Sequence, residues 1–243
     1  ADHVTAKGAS GYAASSVTSD VTLVSDADVT SFAVGNSIAK TVTVTYTAPA
    51  ASGTGQNMPF TDVSTGDWYY GSVYGAWKNK LISGASETLY KPNNTLTVAE
   101  TVKLSAALHQ LQNNGQVTLT NGTPWYSTYV AYAVEHGIIE KEYLDYTPAQ
   151  MHAPASRTEF VHIFFGAMND YEVLNDIADD QIPDVKMGDK YASEIYTFYR
   201  AGILTGSGSS GVFNPSSTIK RSEAAAILNR MFDASTRKSF TLS

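Results

Sequence analysis

The chain has 243 residues, a formal net charge of −7 at pH 7, five histidines and no cysteine. This length allows one or two domains with a hydrophobic core. Without cysteine there are no disulfides and no thiolate metal sites, and the histidines lack paired spacing, so we expect no metal and no cofactor. The acidic balance argues against nucleic acid as a partner, because phosphate groups are bound by basic surfaces. No apolar run approaches the roughly 18 residues of a transmembrane segment.

The N-terminal part of the chain has the composition of β-structure. Residues 1–50 are rich in Ser, Thr, Val and Ala and contain no Trp. Thr41 to Thr47 alternates strictly with period two, which predicts a half-buried strand, and VTLVSDADV is a second candidate. The small residues of 51–57 predict a linker. We therefore expect residues 1–50 to be the strand-rich tail of a β domain that begins before this sequence.

After the linker, a helical and aromatic pattern repeats three times. Each copy has an aliphatic residue followed eight positions later by an aliphatic pair, and then a second helix with a glutamate near its start. The glutamates are Glu100, Glu159 and Glu223, which are 59 and 64 residues apart. Repeats of this kind build one shared core, because a single unit cannot bury its apolar face alone. We predict units at 58–118, 119–179 and 180–236 and a C-terminal tail at 237–243.

The second helices of the three units supply the predicted core. Each carries an apolar stripe on one side only, so each needs partner helices. The predicted fold is mainly α, with three helix–loop–helix units related by a pseudo-threefold axis around a central three-helix bundle, preceded by a short all-β segment. The stripes are Leu104, Leu108 and Leu111; Ile163, Phe164 and Ala167; and Ile227, Leu228 and Met231.

The repeated motifs resemble the S-layer homology (SLH) module, a bacterial cell-surface unit usually found in threes. That module combines F-x-D-V, an aromatic pair, an aliphatic–Gly–Leu-Ile turn, F-x-P and a T-R-A-E tetrad that opens the second helix. The resemblance covers about three quarters of the chain, and residues 1–57 lie outside it. Its residues are FTDVSTGDWYYGSVYGAWKNKLISG, LYKPNNTLTVAE, WYSTYVAYAVEHGII, ASRTEF, IPDV, IYTFYRAGILTG and VFNPSSTIKRSE.

The resemblance implies a non-enzymatic function at the bacterial cell surface. SLH triplets hold secreted proteins non-covalently to the cell wall or surface layer. They do so by binding a secondary cell-wall polysaccharide, commonly one with pyruvylated N-acetylmannosamine, in grooves between neighbouring units. The arginine of the tetrad meets the acidic ketal there. The implied partner is therefore an acidic, pyruvylated glycan.

The tetrads provide the charged site candidates. The third unit has Lys220 and Arg221 at the start of its second helix, the second unit has Arg157, and the first has Val98. Two cations oppose the macrodipole at a helix N-terminus, but an arginine there suits a carboxylate ligand. The resemblance thus implies ligand binding by Arg221, Lys220 and Arg157, whereas Val98 cannot pair with a carboxylate. We expect at most two arginine pockets.

Aromatic and loop residues complete the predicted site. The aromatic positions allow either sugar stacking or core packing, and both roles remain open. The second unit departs from the pattern, since Met151 replaces the proline of Pro92 and Pro215 and its loop lacks the glycine, so its groove is expected to be reshaped. The further ligand-binding candidates are Trp125, Tyr126, Trp68, Tyr69, Tyr191, Gly206 and Ser207.

Three other functions are alternatives to anchoring. A glycosidase needs two carboxylates about 5 to 10 Å apart across a cleft, but Asp62, Asp67 and Asp184 lie in turns where Asp commonly caps backbone. A lattice subunit that assembles protein to protein, and direct binding of peptidoglycan, both fit the pattern. Residues 123–179 carry two basic and nine acidic residues, whereas 180–243 carry eight and six. Binding is therefore expected in local pockets rather than by general electrostatic adhesion.

Overall fold

A computed structural model describes residues 58–168 and 170–243 with their side chains, and the backbone of five strands within residues 1–57. The predicted linker at 51–57 lies outside the described residues. The chain divides into two compact units, Ala1–Asn57 and Met58–Ser243.

The five strands within Ala1–Asn57 form two antiparallel sheets. One sheet has the order β1-β4-β3, and the other pairs β2 with β5 and has a register shift between Ala14 and Ser16. β-Branched threonine and valine, which favour extended backbone, are frequent in these segments. The strands are β1 (Asp2–Thr5), β2 (Ala13–Thr18), β3 (Val21–Leu23), β4 (Ser31–Val34) and β5 (Thr43–Thr47).

Met58–Ser243, which contains all three predicted repeats, is built from helices, and the prediction of a mainly α fold is confirmed. Two 3₁₀ turns, at Lys141–Asp145 and Ala234–Thr236, complete it. None of the described helices is both long enough and apolar enough to cross a membrane. The helices are α1 (Tyr70–Lys78), α2 (Val98–Asn114), α3 (Ser127–Glu135), α4 (Pro148–Met151), α5 (Arg157–Phe165), α6 (Ala192–Arg200) and α7 (Arg221–Phe232).

Side-chain caps determine where the second helices begin. At α2, Thr97 and Glu100 form a reciprocal capping box, in which each side chain accepts from the backbone N–H of the other residue. At α5, the Ser156 hydroxyl accepts from the N–H of Glu159 at 3.1 Å. At α7, Lys220 replaces the hydroxyl residue, and its backbone N–H donates to the Glu223 carboxylate at 2.9 Å.

The segments that lead into α2, α5 and α7 hydrogen-bond to one another in a closed ring. The N–H of Leu96 donates to the carbonyl of Ile219 at 3.1 Å, Ile219 donates to Ala155 at 3.4 Å, and Ala155 donates back to Leu96 at 2.9 Å. All three side chains are buried. The ring therefore fixes the first turns of the three second helices next to one another, including Val98, Arg157 and Arg221.

One hydrophobic core runs through Met58–Ser243, and most of the predicted stripe residues lie in it. The stripe on α2 was placed wrongly in part, since Leu108 is buried but Leu104 and Leu111 lie at the edge of the core. The buried positions of α2 include several small residues, and the buried Ser105 hydroxyl donates to the Ile163 carbonyl of α5 at 2.8 Å. Small side chains allow this close approach of the two helices, which leucines would block.

Candidate functional site

The side chain of Arg221, the first residue of α7, lies in a cavity of about 300 Å³, here called the first groove. Its walls are the loop after α1, part of α2, the segment before α3 and the start of α7. The Arg221 Nε donates to the carbonyl of Tyr90 at 2.8 Å, and Nη2 donates to the carbonyl of Ser83 at 3.1 Å. Nη1 lies 3.6 Å from a carboxylate oxygen of Glu100. The third unit thus provides the guanidinium, and the first unit holds it in position.

Tyr90 contacts Arg221 through both its ring and its hydroxyl group. The guanidinium carbon lies 4.8 Å from the centre of the Tyr90 ring, a cation–π distance, and the Tyr90 hydroxyl donates to the carbonyl of Arg221 at 2.8 Å. Burial raises the pKa of Tyr90, so the phenol stays neutral. The Asp62 carboxylate accepts the N–H groups of Tyr90 and Lys91, both at 2.8 Å, and so fixes the loop that carries the ring.

The helix N-terminus itself offers less to an anion than the sequence suggested. The N–H of Arg221 donates to the carbonyl of Asn94 at 2.8 Å, and the N–H of Ser222 donates to the carbonyl of Pro92 at 3.0 Å. These amides join α7 to the first unit and are not free. The guanidinium has five N–H groups, of which two are used by carbonyls and the Glu100 contact is long. Of these groups, the guanidinium therefore keeps N–H donors that could bind an anion.

An aromatic ring and a second cation form the opposite wall of the first groove. Trp125 is half-buried, and the Lys103 ammonium lies 5.7 Å from its ring centre and 5.1 Å from that of Tyr129. The charged residues that border the groove are Arg221, Lys103 and Glu100, so cations outnumber carboxylates there. Such a cavity can bind a carboxylate through its arginine while a sugar ring packs against the indole.

Arg157, in the second unit, makes the same type of contacts with the loop of the third unit. Its Nε donates to the carbonyl of Phe213 at 2.7 Å, and its guanidinium carbon lies 5.3 Å from the centre of that ring. Its Nη1 pairs with the Glu223 carboxylate at 3.3 Å, closer than Arg221 approaches Glu100. Asp184 accepts the N–H groups of Phe213 and Asn214, as Asp62 does in the first unit. Arg157 thus has the closer carboxylate partner, whereas Arg221 is held mainly by two carbonyls.

The corresponding position in the first unit lacks a cation. Val98 is buried, with 3% of its surface exposed, and its N–H donates to the carbonyl of Ala153 at 3.0 Å. A cavity of about 510 Å³, here called the second groove, is bordered by Tyr143, Glu159 and Tyr191. Burial raises the pKa of the Glu159 carboxyl, whose counterparts Glu100 and Glu223 each have an arginine partner. The second groove therefore has no tetrad arginine, and the cation on its border is Lys190, whose ammonium lies 4.5 Å from the centre of the Tyr191 ring.

Tyr191 borders the second groove as part of a cluster that the sequence did not reveal. Its ring stacks on that of His162, with centres 3.7 Å apart, and its backbone has a left-handed φ of 60°. The His162 Nε2 contacts Glu140 at 2.9 Å and its Nδ1 contacts Glu194 at 3.1 Å. Burial opposes a charge on His162, but the hydrogen bonds to Glu194 and Glu140 outweigh burial and raise its pKa. This contact joins the second and third units.

The other predicted aromatic residues lie outside the first groove. Trp68 is 68% exposed and packs edge-on against Tyr69, which is half-buried at the start of α1. Tyr126 is buried, and its ring lies 5.6 Å from that of His152. Trp125 is thus the aromatic candidate that borders the cavity of Arg221.

The remaining predicted site residues, Gly206, Ser207 and Lys220, lie outside the first groove. Gly206 has φ +67°, and a Cβ there would collide with the backbone of Gly211. Ser207 is exposed and exchanges backbone hydrogen bonds with Val212 at 2.8 and 3.0 Å. Lys220 is exposed at the N-cap of α7. None of these side chains borders the first groove, whose predicted members are Arg221 and Trp125.

Sequence reasoning missed several residues of the first groove. Tyr90 occupies the aromatic slot of the F-x-P motif, and Glu100, predicted only as a glutamate near the start of a second helix, both caps α2 and faces Arg221. The others have no motif to mark them, because their positions depend on contacts between units. The missed residues are Ser83, Tyr90, Glu100, Lys103 and Asn121.

Comparisons with known proteins agree with the repeat pattern. The profile of the S-layer homology domain matches residues 59–101 and 181–225. The chain is 25% identical over 189 residues to "Exoglucanase XynX" of Acetivibrio thermocellus, covering 74% of this chain and 17% of that protein. It is 27% identical over 164 residues to "Amylopullulanase" of Thermoanaerobacterium thermosulfurigenes, covering 64% of this chain and 8% of that protein. The chain therefore spans less than a fifth of either relative. The loop and start of α2 in the first unit and the start of α7, which border the first groove, lie in the segments that match the S-layer homology domain, whereas Lys103, Asn121 and Trp125 lie outside them.

Proposed function

We propose that this chain anchors a larger protein non-covalently to the bacterial cell wall by binding a secondary cell-wall polysaccharide. The ligand is an acidic glycan that carries pyruvate ketals, and the binding sites are the grooves between units. The observation that carries the proposal is the placement of Arg221, a guanidinium with 13% of its side chain exposed, in a cavity that also contains Trp125.

A pyruvate ketal suits the first groove for two physical reasons. Its carboxylate is planar and accepts two parallel hydrogen bonds, which matches the fork of a guanidinium better than a single ammonium does. Its sugar ring has an apolar face that can pack on an indole. Arg221 and Trp125 offer both groups within one cavity of about 300 Å³.

We also propose that the units at 58–118, 119–179 and 180–236 are related by a pseudo-threefold axis through the ring of Leu96, Ala155 and Ile219. Three observations support this. Each ring residue donates to one neighbour and accepts from the other. The arginine of the third unit reaches the loop of the first, and the arginine of the second reaches the loop of the third, with the same type of contact. The helix α2 packs against both α5 and α7.

The proposal is tested by co-sedimentation of the purified chain with cell-wall sacculi. One sample of sacculi keeps its secondary polysaccharide, a second is treated with mild acid to remove ketals, and a third is stripped to peptidoglycan. We expect binding to the first sample and its loss with the second and third. Equal binding to all three would refute the proposal and favour direct peptidoglycan binding.

A further inference from the structure

The helix α1 carries a row of three aromatic side chains that the function proposed above does not use. The rings of Tyr70 and Tyr74 are nearly parallel, with centres 6.2 Å apart, and the ring of Trp77 follows at 6.1 Å from Tyr74. All three side chains are half-buried. Tyr70 and Trp77 also pack against the hydrophobic core, while Tyr74 stacks between them. The row spans about 10 Å along the helix, given a rise of about 1.5 Å per residue.

One end of this row reaches a cavity that adjoins the first groove. Trp77 borders a cavity of about 610 Å³, which also contains Lys80 and Ser86. This cavity and the first groove share residues 81–84 and Lys103 as walls. Trp77 is thus a wall of the cavity on the other side of residues 81–84, and Tyr74 and Tyr70 follow it along α1.

The row is specific to the first unit. The aligned positions of the second unit are Ser127, Ala131 and Val134, which provide no ring. In the third unit, Tyr196 and Tyr199 are present at the second and third positions, but both are fully buried and bind backbone groups through their hydroxyls. Accessible aromatic faces at these positions thus occur in the unit whose loop holds Arg221.

Such a row has the chemistry of a site for uncharged sugar rings. Sugars present C–H groups on one face, which pack on tyrosine and tryptophan rings, while the phenol and indole polar atoms can hydrogen-bond to hydroxyl groups. Lys80 and Ser86, which border the same cavity as Trp77, are polar residues of the kind that orients a ligand in a mostly apolar cavity.

We propose that the Trp77 cavity and the row of Tyr70, Tyr74 and Trp77 form an extended subsite. It binds the uncharged sugars that neighbour the acidic residue in the same polysaccharide chain. The inference rests on the proposed function, since the acidic sugar in the first groove determines where the rest of the chain runs. The first groove then selects the ketal, and the subsite adds affinity for the polymer.

The test compares a polymer with a single sugar. Titration calorimetry is done with purified pyruvylated polysaccharide and with the methyl glycoside of pyruvylated N-acetylmannosamine. We expect Tyr74→Ala to weaken polymer binding about three- to tenfold, the effect of one lost aromatic contact, and to leave monosaccharide binding unchanged. Tyr74→Phe keeps the ring and should bind the polymer like the wild type. Tyr132→Ala removes a half-buried tyrosine from α3, away from both cavities, and is the matched control.

The outcomes separate this inference from the proposed function. Polymer affinity of Tyr74→Ala equal to that of the wild type would overturn the subsite, and so would a parallel loss of monosaccharide affinity. If the wild type bound neither ligand, the proposed function itself would be wrong and the subsite with it. Circular dichroism establishes that each variant is folded. Trp77→Ala, which should weaken polymer binding further, provides a second test at the other end of the row.

Discussion

Replacement of Arg221 by alanine should weaken binding of the pyruvylated polymer more than any other single change in the tetrads. We propose the guanidinium as the anion-binding group of the first groove, because the nearby helix amides are already bonded to the first unit. A hydrogen bond to a charged group contributes about 1.5 to 3 kcal/mol, which is roughly a ten- to 150-fold change in affinity. The low exposure of the side chain, 13%, places the pair at the stronger end of that range.

Two further substitutions test the same tetrad position in the other two units and compare its contribution to binding affinity. Arg157→Ala should weaken binding less, because Arg157 is paired with Glu223 at 3.3 Å and itself belongs to the unit rich in acidic residues. Val98→Ala should leave affinity unchanged, since Val98 is buried and uncharged. It should instead lower the free energy of unfolding by about 1 to 2 kcal/mol, the cost of a small cavity in the core.

The assay is titration calorimetry of all three variants with the same purified polymer. Arg221→Ala also leaves the carbonyls of Tyr90 and Ser83 without their donor, so loss of stability has to be separated from loss of binding. Arg221→Lys is the control, because it keeps the charge but not the planar fork, and we expect an intermediate affinity. Equal losses in the three alanine variants, or undiminished affinity of Arg221→Ala, would show that the arginine is structural.

Three other predictions concern stability and the loop of the first unit. The pKa of His162 is raised above its ordinary value of 6.5. Its contacts should therefore stabilise the fold fully below pH 6.5 and lose their effect as the pH rises through the raised pKa. The thermal unfolding temperatures of the wild type and His162→Gln should converge at alkaline pH, and a difference that stays constant with pH would contradict this. Gly206→Ala should cost more unfolding free energy in urea than Gly208→Ala, since both have left-handed φ but only Gly206 is crowded by neighbouring atoms; equal costs would contradict it. Asp62→Asn should weaken polymer binding although Asp62 does not border the first groove, because its carboxylate positions Tyr90; Asp184→Asn, the matched change in the third unit, should have the smaller effect.

The sequence predicted local features of this molecule well, because their causes are local. Thr97 and Ser156 start their helices through hydroxyl groups that bond within the next turn, and such caps can be recognised from three-residue spacing. The apolar faces of α5 and α7 follow in the same way from helical periodicity. The position of Arg221 at the start of a helix could likewise be predicted from the tetrad alone.

What could not be predicted depends on contacts between distant segments. Ser83 and Lys103 acquire their role only because α7 docks on the first unit, and no spacing rule encodes that. His162 was given no role, since its two carboxylate partners are 22 and 32 residues away in sequence and belong to different units. Leu104 was assigned to the core because periodicity shows which face is apolar but not how closely a neighbouring helix approaches.

The contact between Arg221 and Tyr90 joins residues 131 positions apart. The first groove is therefore made by both ends of the helical part of the chain, and neither end contains a complete site. A protease that removed α7 would abolish the groove while leaving its loop, Tyr90 and Trp125 intact. A cut in an exposed loop of the second unit beyond Trp125, by contrast, would lie outside every segment that borders the groove. Attachment through such a groove would thus depend on α7, and proteolytic removal of this helix would release the protein from the wall without any change in the sugar.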